Sequence, residues 1–557
     1  MKLRVAYAKS RYKDKVYQTP LVVTSYRDEH GVARNKTVAS LAGLPAHAVK
    51  AVETALKRGD CGPVGEALGA AQIAYDGAVV AGPAFVVLSV LRQLGVYGAL
   101  TSRLSPQQAA AVLGIVTERV TESKPLSVMA QQRRFADSPL AFFLGGDKAP
   151  SLKTWYGALA ALEKQREPVL QELFARNHAP DDLYLYDITS SYFEGDSCPL
   201  AAYGYNRDGK KGKKQVVLGV ICDREGCPIW MDVFKGNTTD QTTVKAQLLN
   251  LRDRLGLRGF TFVGDRGMVT HARIEELEKE GWWEEFSYIT ALTRHEMMAL
   301  VEDGEHPVQL ELFDHENLAE VEHNGTRYVL CHNPKRREQD AQTRGRLMAL
   351  TGQKLDAIQK NVAEGRLKNK DAIARRLYRW LNRWGMERFF TVSYDTATFR
   401  HVRDEKEVER YSRLDGCYVI RSNVDKTRHG TADLRDRYKD LKYVEQVFRT
   451  MKTTDIQTRP IRHFNEPQVR GHLFACFLAY RVVWELRQRL EPVLERDPDT
   501  KRCDAGSLAE IWRDLQTVTV ARLEVNGKAL LKLSRISVWV TKLLRLCRTP
   551  DLETILR

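Results

Sequence analysis

The strongest constraint on this chain is a succession of apolar runs between residues 183 and 292, broken by two amphipathic stretches. Leu183-Tyr-Leu-Tyr-Asp-Ile-Thr-Ser-Ser-Tyr-Phe193 is rich in aromatic and β-branched residues and reads as a strand. Residues 215–223 and 228–234 read as two more, joined by a turn at Gly226-Cys227. A helix over 239–255, a strand over 260–265, a helix over 271–280 and a strand over 286–292 follow. The order β-β-β-α-β-α-β predicts a mixed sheet with helices on its faces.

Two of these strands lead into aspartates. Asp187 follows the first apolar run, and Asp265 closes Phe260-Thr-Phe-Val-Gly-Asp265. Strand ends of an open α/β sheet form the crevice where ligands bind, so adjacent parallel strands would bring both carboxylates to one site. Far downstream, the run from Tyr438 to Lys452 reads as one helix. Tyr438, Lys442, Glu445, Arg449 and Lys452 share a face, beside an apolar face of Val444, Phe448 and Met451. A carboxylate among cations on an anchored helix suits a metal ligand beside a phosphate backbone. Three gathered carboxylates would repel one another, and divalent cations relieve that repulsion. Singly, each aspartate also reads as a turn or cap residue, as does Asp240 at a helix start.

The 557 residues exceed one hydrophobic core and imply several domains. A hydrophobic share of 43% and a charged share of 28% exclude a disordered chain. The net charge of +15 and the pI of about 9.3 favour a polyanionic partner. Nine cysteines without zinc-finger spacing point to a reduced, cytoplasmic compartment without zinc. The most apolar stretch, 78–100, carries Pro83, Arg92 and Gln93, and reads as a buried helix with no membrane partner.

The expected fold class is multidomain α/β. Residues 1–50 form a small basic β unit, whose Lys, Arg and Tyr are either DNA contacts or a solvated face. Residues 51–180 form a helical DNA-binding or dimerisation region, with helices at 46–57, 83–94, 105–117, 126–135 and 153–175. The core spans 181–295 and 413–490, split by an insertion at 296–412 with strands near 308–313, 319–323 and 326–331 and a charged helical stretch from 335 to 384. A helix spans 468–490, a linker lies at 497–504, and 491–557 is a C-terminal region. The loop Arg207-Asp-Gly-Lys-Lys-Gly-Lys-Lys214 is a solvated hairpin or a DNA backbone contact through Lys210, Lys211, Lys213 and Lys214.

Tyr438-x2-Leu441-x3-Glu445-x6-Lys452 resembles the Tyr-x2-Arg-x3-Glu-x6-Lys signature of DDE transposases of bacterial insertion sequences, with Leu441 where the arginine stands. Tyr186-Asp-Ile-Thr-Ser-Ser-Tyr-Phe-Glu-Gly195, Gly204-Tyr-Asn-Arg-Asp-Gly-Lys210, Phe234-Lys-Gly-Asn-Thr-Thr-Asp240, Gly264-Asp-Arg-Gly-Met268, Arg459-Pro-Ile-Arg-His463 and Val469-Arg-Gly-His472 also resemble that family. The resemblance implies an RNase H-like core in which Asp187, Asp265 and Glu445 hold Mg²⁺ or Mn²⁺, two ions per site. It implies that Tyr438 and Lys452 contact the DNA end. Lys442 and Arg449, on the Glu445 face, read as further DNA contacts; Arg459 and His463 read as DNA contacts or as supports behind the site, and His463 also as a structural hydrogen-bonding residue. The implied activity is binding of terminal inverted repeats in double-stranded DNA, cleavage, and strand transfer into target DNA. A homodimer or larger assembly on DNA, in a bacterial cytoplasm and associated with the nucleoid, would carry it out. An RNase H-like endonuclease without strand transfer and a catalytically retired DNA-binding protein are the alternatives.

Overall fold

The computed structural model describes every residue except 1–2, 13–14, 29–30, 59–72, 123–128, 131–137, 139–148, 196, 283–285, 304–307, 309–317, 454–455, 495–504, 506, 526–527 and 551–557. The expected helix at 126–135, the strand at 308–313 and the linker at 497–504 fall wholly or mostly outside the described residues. The chain divides into two units.

One unit joins Met1–Gly82 to Asp514–Val538 and Asp551–Arg557. Strands β1 (Leu3–Tyr12), β2 (Lys15–Arg27) and β3 (Ala33–Ser40) form an antiparallel meander, followed by the helix Ala46–Arg58. The segment 51–180, read as helical, also contains a strand, β4 (Ile73–Val80). It pairs with β15 (Thr519–Val525), which pairs in turn with β16 (Lys528–Leu533). The N-terminal and C-terminal regions expected to be separate therefore share a sheet. A pairing across that much chain leaves no local signature.

The other unit holds Pro83–Arg513 and Trp539–Pro550. All five strands expected between 183 and 292 are present: β5 (Leu183–Tyr192), β6 (Gln215–Asp223), β7 (Pro228–Lys235), β8 (Thr261–Gly264) and β9 (Ser287–Ala291). β10 (Leu318–His323) and β11 (Thr326–His332) extend the same sheet through β14 (Cys417–Ser422). The order is β10-β11-β14-β9-β8-β5-β6-β7. The expected insertion at 296–412 is thus too wide. Its first strands belong to the main sheet, and the excursion proper lies between β11 and β14. That excursion has the helices Pro334–Ala363 and Lys370–Arg383, the hairpin β12 (Phe390–Tyr394) with β13 (Phe399–Arg403), and the helix Glu405–Ser412. It buries a core of its own, in which Leu355, Ile358, Val362, Ile373, Leu377, Leu381 and Phe399 meet.

No helix among the described residues is long and apolar enough to cross a membrane. The apolar stretch 78–100 ends β4, forms the buried helix Gly82–Gln93, and turns at Gly95 (φ 86°). The expected helix at 153–175 is two helices, Leu152–Lys164 and Arg166–Asn177, parted at Gln165. The helix Glu466–Leu494 runs through the interior and packs on Leu152–Lys164, Pro106–Thr121 and β7. A Cβ at Gly471 would lie 2.0 Å from the Leu159 carbonyl oxygen, so a glycine there permits the close helix crossing. The helix Lys442–Lys452, which carries Glu445, packs on β5, β6 and the Glu466–Leu494 helix.

Candidate active site

β5 lies between antiparallel β6 and parallel β8. The register Leu185↔Val263 and Tyr186↔Gly264 brings Asp187 level with Asp265, the first residue beyond β8. Asp187, expected at a strand end, lies in mid-strand. Thr189, Ser190 and Ser191 are buried and pair with Leu218, Val217 and Val216 of β6, so β5 continues to Tyr192. The strand that ends at this level is β8, and its end opens the crevice. The turn after it has Gly267 at φ +85°, where a side chain would be strained. The Arg266 N–H donates to Asp265 Oδ1 at 2.7 Å, and the Met268 N–H donates to the Asp265 carbonyl at 3.1 Å.

The stretch from Tyr438 to Lys452, expected as one helix, is two: Thr431–Lys439 and Lys442–Lys452, joined at Asp440-Leu441. No glycine or proline announces the corner. Leu441 is buried in it, whereas the neighbouring Lys442 is exposed. Lys442 therefore does not occupy the place of the signature arginine. Val444, Val447, Phe448 and Met451 anchor the second helix in the core, leaving Glu445, Lys442 and Arg449 exposed. Tyr438 reaches the site from the preceding helix, and its O–H donates to Asp265 Oδ1 at 3.0 Å. Burial first, then the Asp265 carboxylate, raises the Tyr438 phenol above its ordinary value, so it is a donor at neutral pH.

Burial pushes the Asp187 carboxyl up to about 7, with the Asp265 and Glu445 carboxylates adding to the rise. The N–H of Ile188, 2.7 Å from Asp187 Oδ1, and the Arg207 guanidinium oppose it. Three carboxylates thus feel one another across the end of β8. They are all oxygen donors, and their mutual repulsion, which Arg207 opposes only in part, fits a hard divalent ion. The site is open: the three are not all within 4.8 Å of one another.

Lys452 lies two turns from Glu445 but does not face outward. Its Nζ donates to Thr189 Oγ1 at 2.5 Å and to Asp208 Oδ1 at 2.8 Å. Arg459 pairs with the same Asp208 oxygen, and the Tyr192 N–H donates to Asp208 Oδ2 at 3.0 Å. The Asp208 side chain is only 1% exposed. Sequence reading placed Asp208 in a lysine-rich hairpin and missed it. It is the buried anchor that ties β5, the glutamate helix and the Arg459 segment together. The adjacent Arg207 pairs with Asp240, and its N–H donates to Ser190 Oγ at 3.2 Å. Beyond them Lys210, Lys211 and Lys213 are exposed and Lys214 is half-buried; Lys213 lies 3.2 Å from Glu194.

His463 packs edge-on against Tyr156 at 5.7 Å and lies 4.9 Å from the His472 ring. Burial, and then the nearby Arg119 charge, lowers its imidazole to about 4. His472 Nε2 donates to the Thr458 carbonyl at 3.1 Å, and burial holds this ring neutral as well.

Among the described residues, one further group gathers metal-type ligands: His178, Asp223 and Cys227, near the opposite end of β6. His178 Nδ1 lies 3.2 Å from Asp223 Oδ2. The Arg481 guanidinium donates to His178 Nε2 at 3.1 Å, to the Pro228 carbonyl at 3.2 Å and to Cys227 Sγ. Burial raises the Cys227 thiol, and a metal would need the thiolate. With Arg481 donating to two of its three residues and the thiol raised, this group does not fit an ion.

No curated protein matches the chain. Among solved structures it is similar to the cryo-EM structure of the piggyBac transposase synaptic complex with hairpin DNA, at 10% identity over 78% of this chain and 82% of that one, with a TM-score of 0.34. A family model described as the transposase DDE domain matches residues 179–482, more than half of the 557. The matched span opens just before β5 and closes within the Glu466–Leu494 helix, taking in Asp187, Asp265 and Glu445 together; the chain belongs to the family of transposases with a DDE domain.

Proposed function

We propose that this chain binds the terminal inverted repeats of a bacterial insertion sequence, cleaves the DNA there and transfers the freed strand into target DNA. The observation that carries this reading is the convergence of Asp187, Asp265 and Glu445, expressed in the elevated Asp187 carboxyl. The split sheet supports an RNase H-like core, in which parallel β5 and β8 carry the aspartates and a flanking helix the glutamate.

Asp187, Asp265 and Glu445 would hold Mg²⁺ or Mn²⁺, two ions in each site. Bound there, such ions activate an attacking oxygen and stabilise the leaving one in phosphoryl transfer. The Tyr438 hydroxyl orients Asp265, while the turn N–H of Arg266 holds its other contact to the same oxygen. Exposed Lys442 and Arg449, one turn to either side of Glu445, offer cations to the DNA backbone. Lys210, Lys211, Lys213 and Lys214 are proposed as backbone contacts beside the crevice. Lys452 and Arg459 act through Asp208, which shapes the floor of the site. His463, neutral and packed on Tyr156, supports the Arg459 segment near the bound DNA end. Two ends must be joined, so a homodimer or larger assembly acts in the bacterial cytoplasm, on the nucleoid.

Purified protein, Mg²⁺ and duplexes carrying the DNA that flanks its gene test the reading. Strand-joined products are expected. Cut ends without joining would make the chain an endonuclease, and a mobility shift without cutting would make it a retired binder. Full cleavage by Asp187→Asn would remove the triad.

A further inference from the structure

The insertion carries a charged surface that the catalytic reading does not use. The helix Lys370–Arg383 buries Ile373, Leu377 and Leu381 against the insertion core. Its opposite face exposes Arg375, Arg376, Arg379 and Arg383, with Tyr378 between them at 47% exposure. Positions 375, 379 and 383 repeat every four residues and form one stripe along the helix, about 6 Å per step at 1.5 Å per residue. From Lys360 to Arg383 there are eight Lys and Arg against two Asp and Glu. A net six charges in 24 residues is a large part of the +15 carried by all 557.

Some exposed arginines of the insertion meet carboxylates: Arg336 with Asp340 at 3.0 Å, Arg410 with Glu407 at 2.9 Å, Arg413 with Glu409 at 3.7 Å. What distinguishes the Lys370–Arg383 helix is that four exposed arginines lie along one short helix. Among the described residues, none of Arg375, Arg376, Arg379 and Arg383 lies within 4.0 Å of a carboxylate oxygen. Arg375 instead donates to the Asp371 carbonyl at 3.4 Å. Arg383 stands over the Trp380 and Trp384 rings, 5.3 Å from each centroid, and Lys354 flanks Trp380 from the other helix at 5.2 Å. The aromatic rings hold the guanidinium and ammonium groups in place without neutralising them. Four solvent-facing guanidiniums on one helix, with Asp371 as the acid one turn before them, repel one another, and a polyanion would relieve that repulsion.

We propose that the outer face of the Lys370–Arg383 helix is a second DNA-binding surface, a rail that grips the phosphates of a duplex without reading its bases. Arginine suits the role because its guanidinium pairs with phosphate in a bidentate fork. Asp371 opens the same stripe and Asn382 stands beside its end, but arginines outnumber them, so the contacts carry register and affinity more than sequence choice. The inference rests on the DNA transposase reading above.

The test is the salt dependence of duplex binding by the full chain, for wild type and for the triple variant Arg375→Gln/Arg376→Gln/Arg379→Gln. Glutamine keeps a helix propensity close to that of arginine, and urea unfolding checks that the fold is kept. Each lost phosphate contact flattens the plot of log affinity against log salt by about 0.9, so three give ~2.7. That flattening is expected equally on transposon-end and scrambled duplexes. The matched control, Arg336→Gln/Arg410→Gln/Arg413→Gln, removes the same charge from paired arginines and is expected to leave the slope near wild type. An unchanged slope in the first variant, an equal flattening in the control, or a loss confined to one DNA sequence overturns the rail. If the wild type binds no duplex at all, the DNA reading itself fails, and that result is distinct from wild-type binding with an unchanged slope in the variant.

Discussion

Two clusters of metal-type ligands sit on the same sheet and resolve their charge in opposite ways. At one end of β6, His178, Asp223 and Cys227 gather, with the Arg481 guanidinium, a cation fixed in the covalent chain, donating to His178 and Cys227 and His178 Nδ1 beside Asp223. Across the end of β8, the Asp265 and Glu445 carboxylates add to the burial that raises the Asp187 carboxyl to about 7, and Arg207 opposes the rise. The first cluster is tied by hydrogen bonds within the chain. The second is a set of carboxylates whose repulsion a divalent ion would relieve. A collection of ligand atoms is therefore not by itself a metal site; what matters is whether the protein has already supplied the cation.

The largest way to break this comparison is at the triad. Asp187→Asn, Asp265→Asn and Glu445→Gln are each expected to bring cleavage to background while circular dichroism is unchanged. Mg²⁺ is expected to raise the thermal midpoint of the wild type and not of Asp187→Asn. The rise should be larger at pH 8 than at pH 6, because cation and proton compete for one carboxyl. Arg481→Met tests the other cluster. It leaves His178 Nε2 and the Pro228 carbonyl without their donor and is expected to cost ~1–3 kcal/mol in urea unfolding. It should not move the Mg²⁺ midpoint; a shift there would mean that the two clusters are not independent.

A smaller effect sharpens the role of the tyrosine that orients a ligand. Tyr438→Phe removes the hydrogen bond to Asp265 and is expected to lower cleavage or metal affinity ~10–100-fold, the range for a partner behind a metal ligand. Binding of DNA without metal should be unchanged.

The smallest effect is acid sensitivity at His463. A free histidine takes its proton near pH 6.5, and buried His463 takes it only near about 4. Between those values the unfolded chain binds a proton that the folded chain lacks, so stability rises with pH. The contribution is complete above pH 6.5 and is lost as pH falls toward 4. His463→Gln is expected to flatten part of the fall in the urea midpoint over that window, with His472 supplying the remainder.

The sequence exposes what is local. The five strand runs between 183 and 292 and the apolar face of Val444, Phe448 and Met451 follow from periodicity, and all three carboxylates of the candidate site lie on or beside them. Features made by distant pairing are less visible. Thr189-Ser-Ser191 is legible as part of the strand run from Leu183 to Phe193, but only its pairing with β6 shows that all three are buried and that Asp187 sits mid-strand. β10 and β11 read as part of the insertion until β14 pairs with β11. Asp208 reads as one acid among lysines in a solvated hairpin, because nothing nearby reveals that Lys452 and Arg459 close on it. The corner at Leu441 lacks glycine and proline, so a continuous helix was the natural expectation.

The pairing of β4 with β15 has a consequence for how the protein is made. Thr519 lies opposite Val80, so about 440 residues must be synthesised before β4 meets its partner; at ~5–20 residues per second the wait is roughly 20–90 s. The whole catalytic sheet leaves the ribosome during that interval. The small unit thus closes only after residues 83–513 have been made, and a chain released before β15 would have a complete β5–β9 sheet while the edge of β4 remained open to other chains.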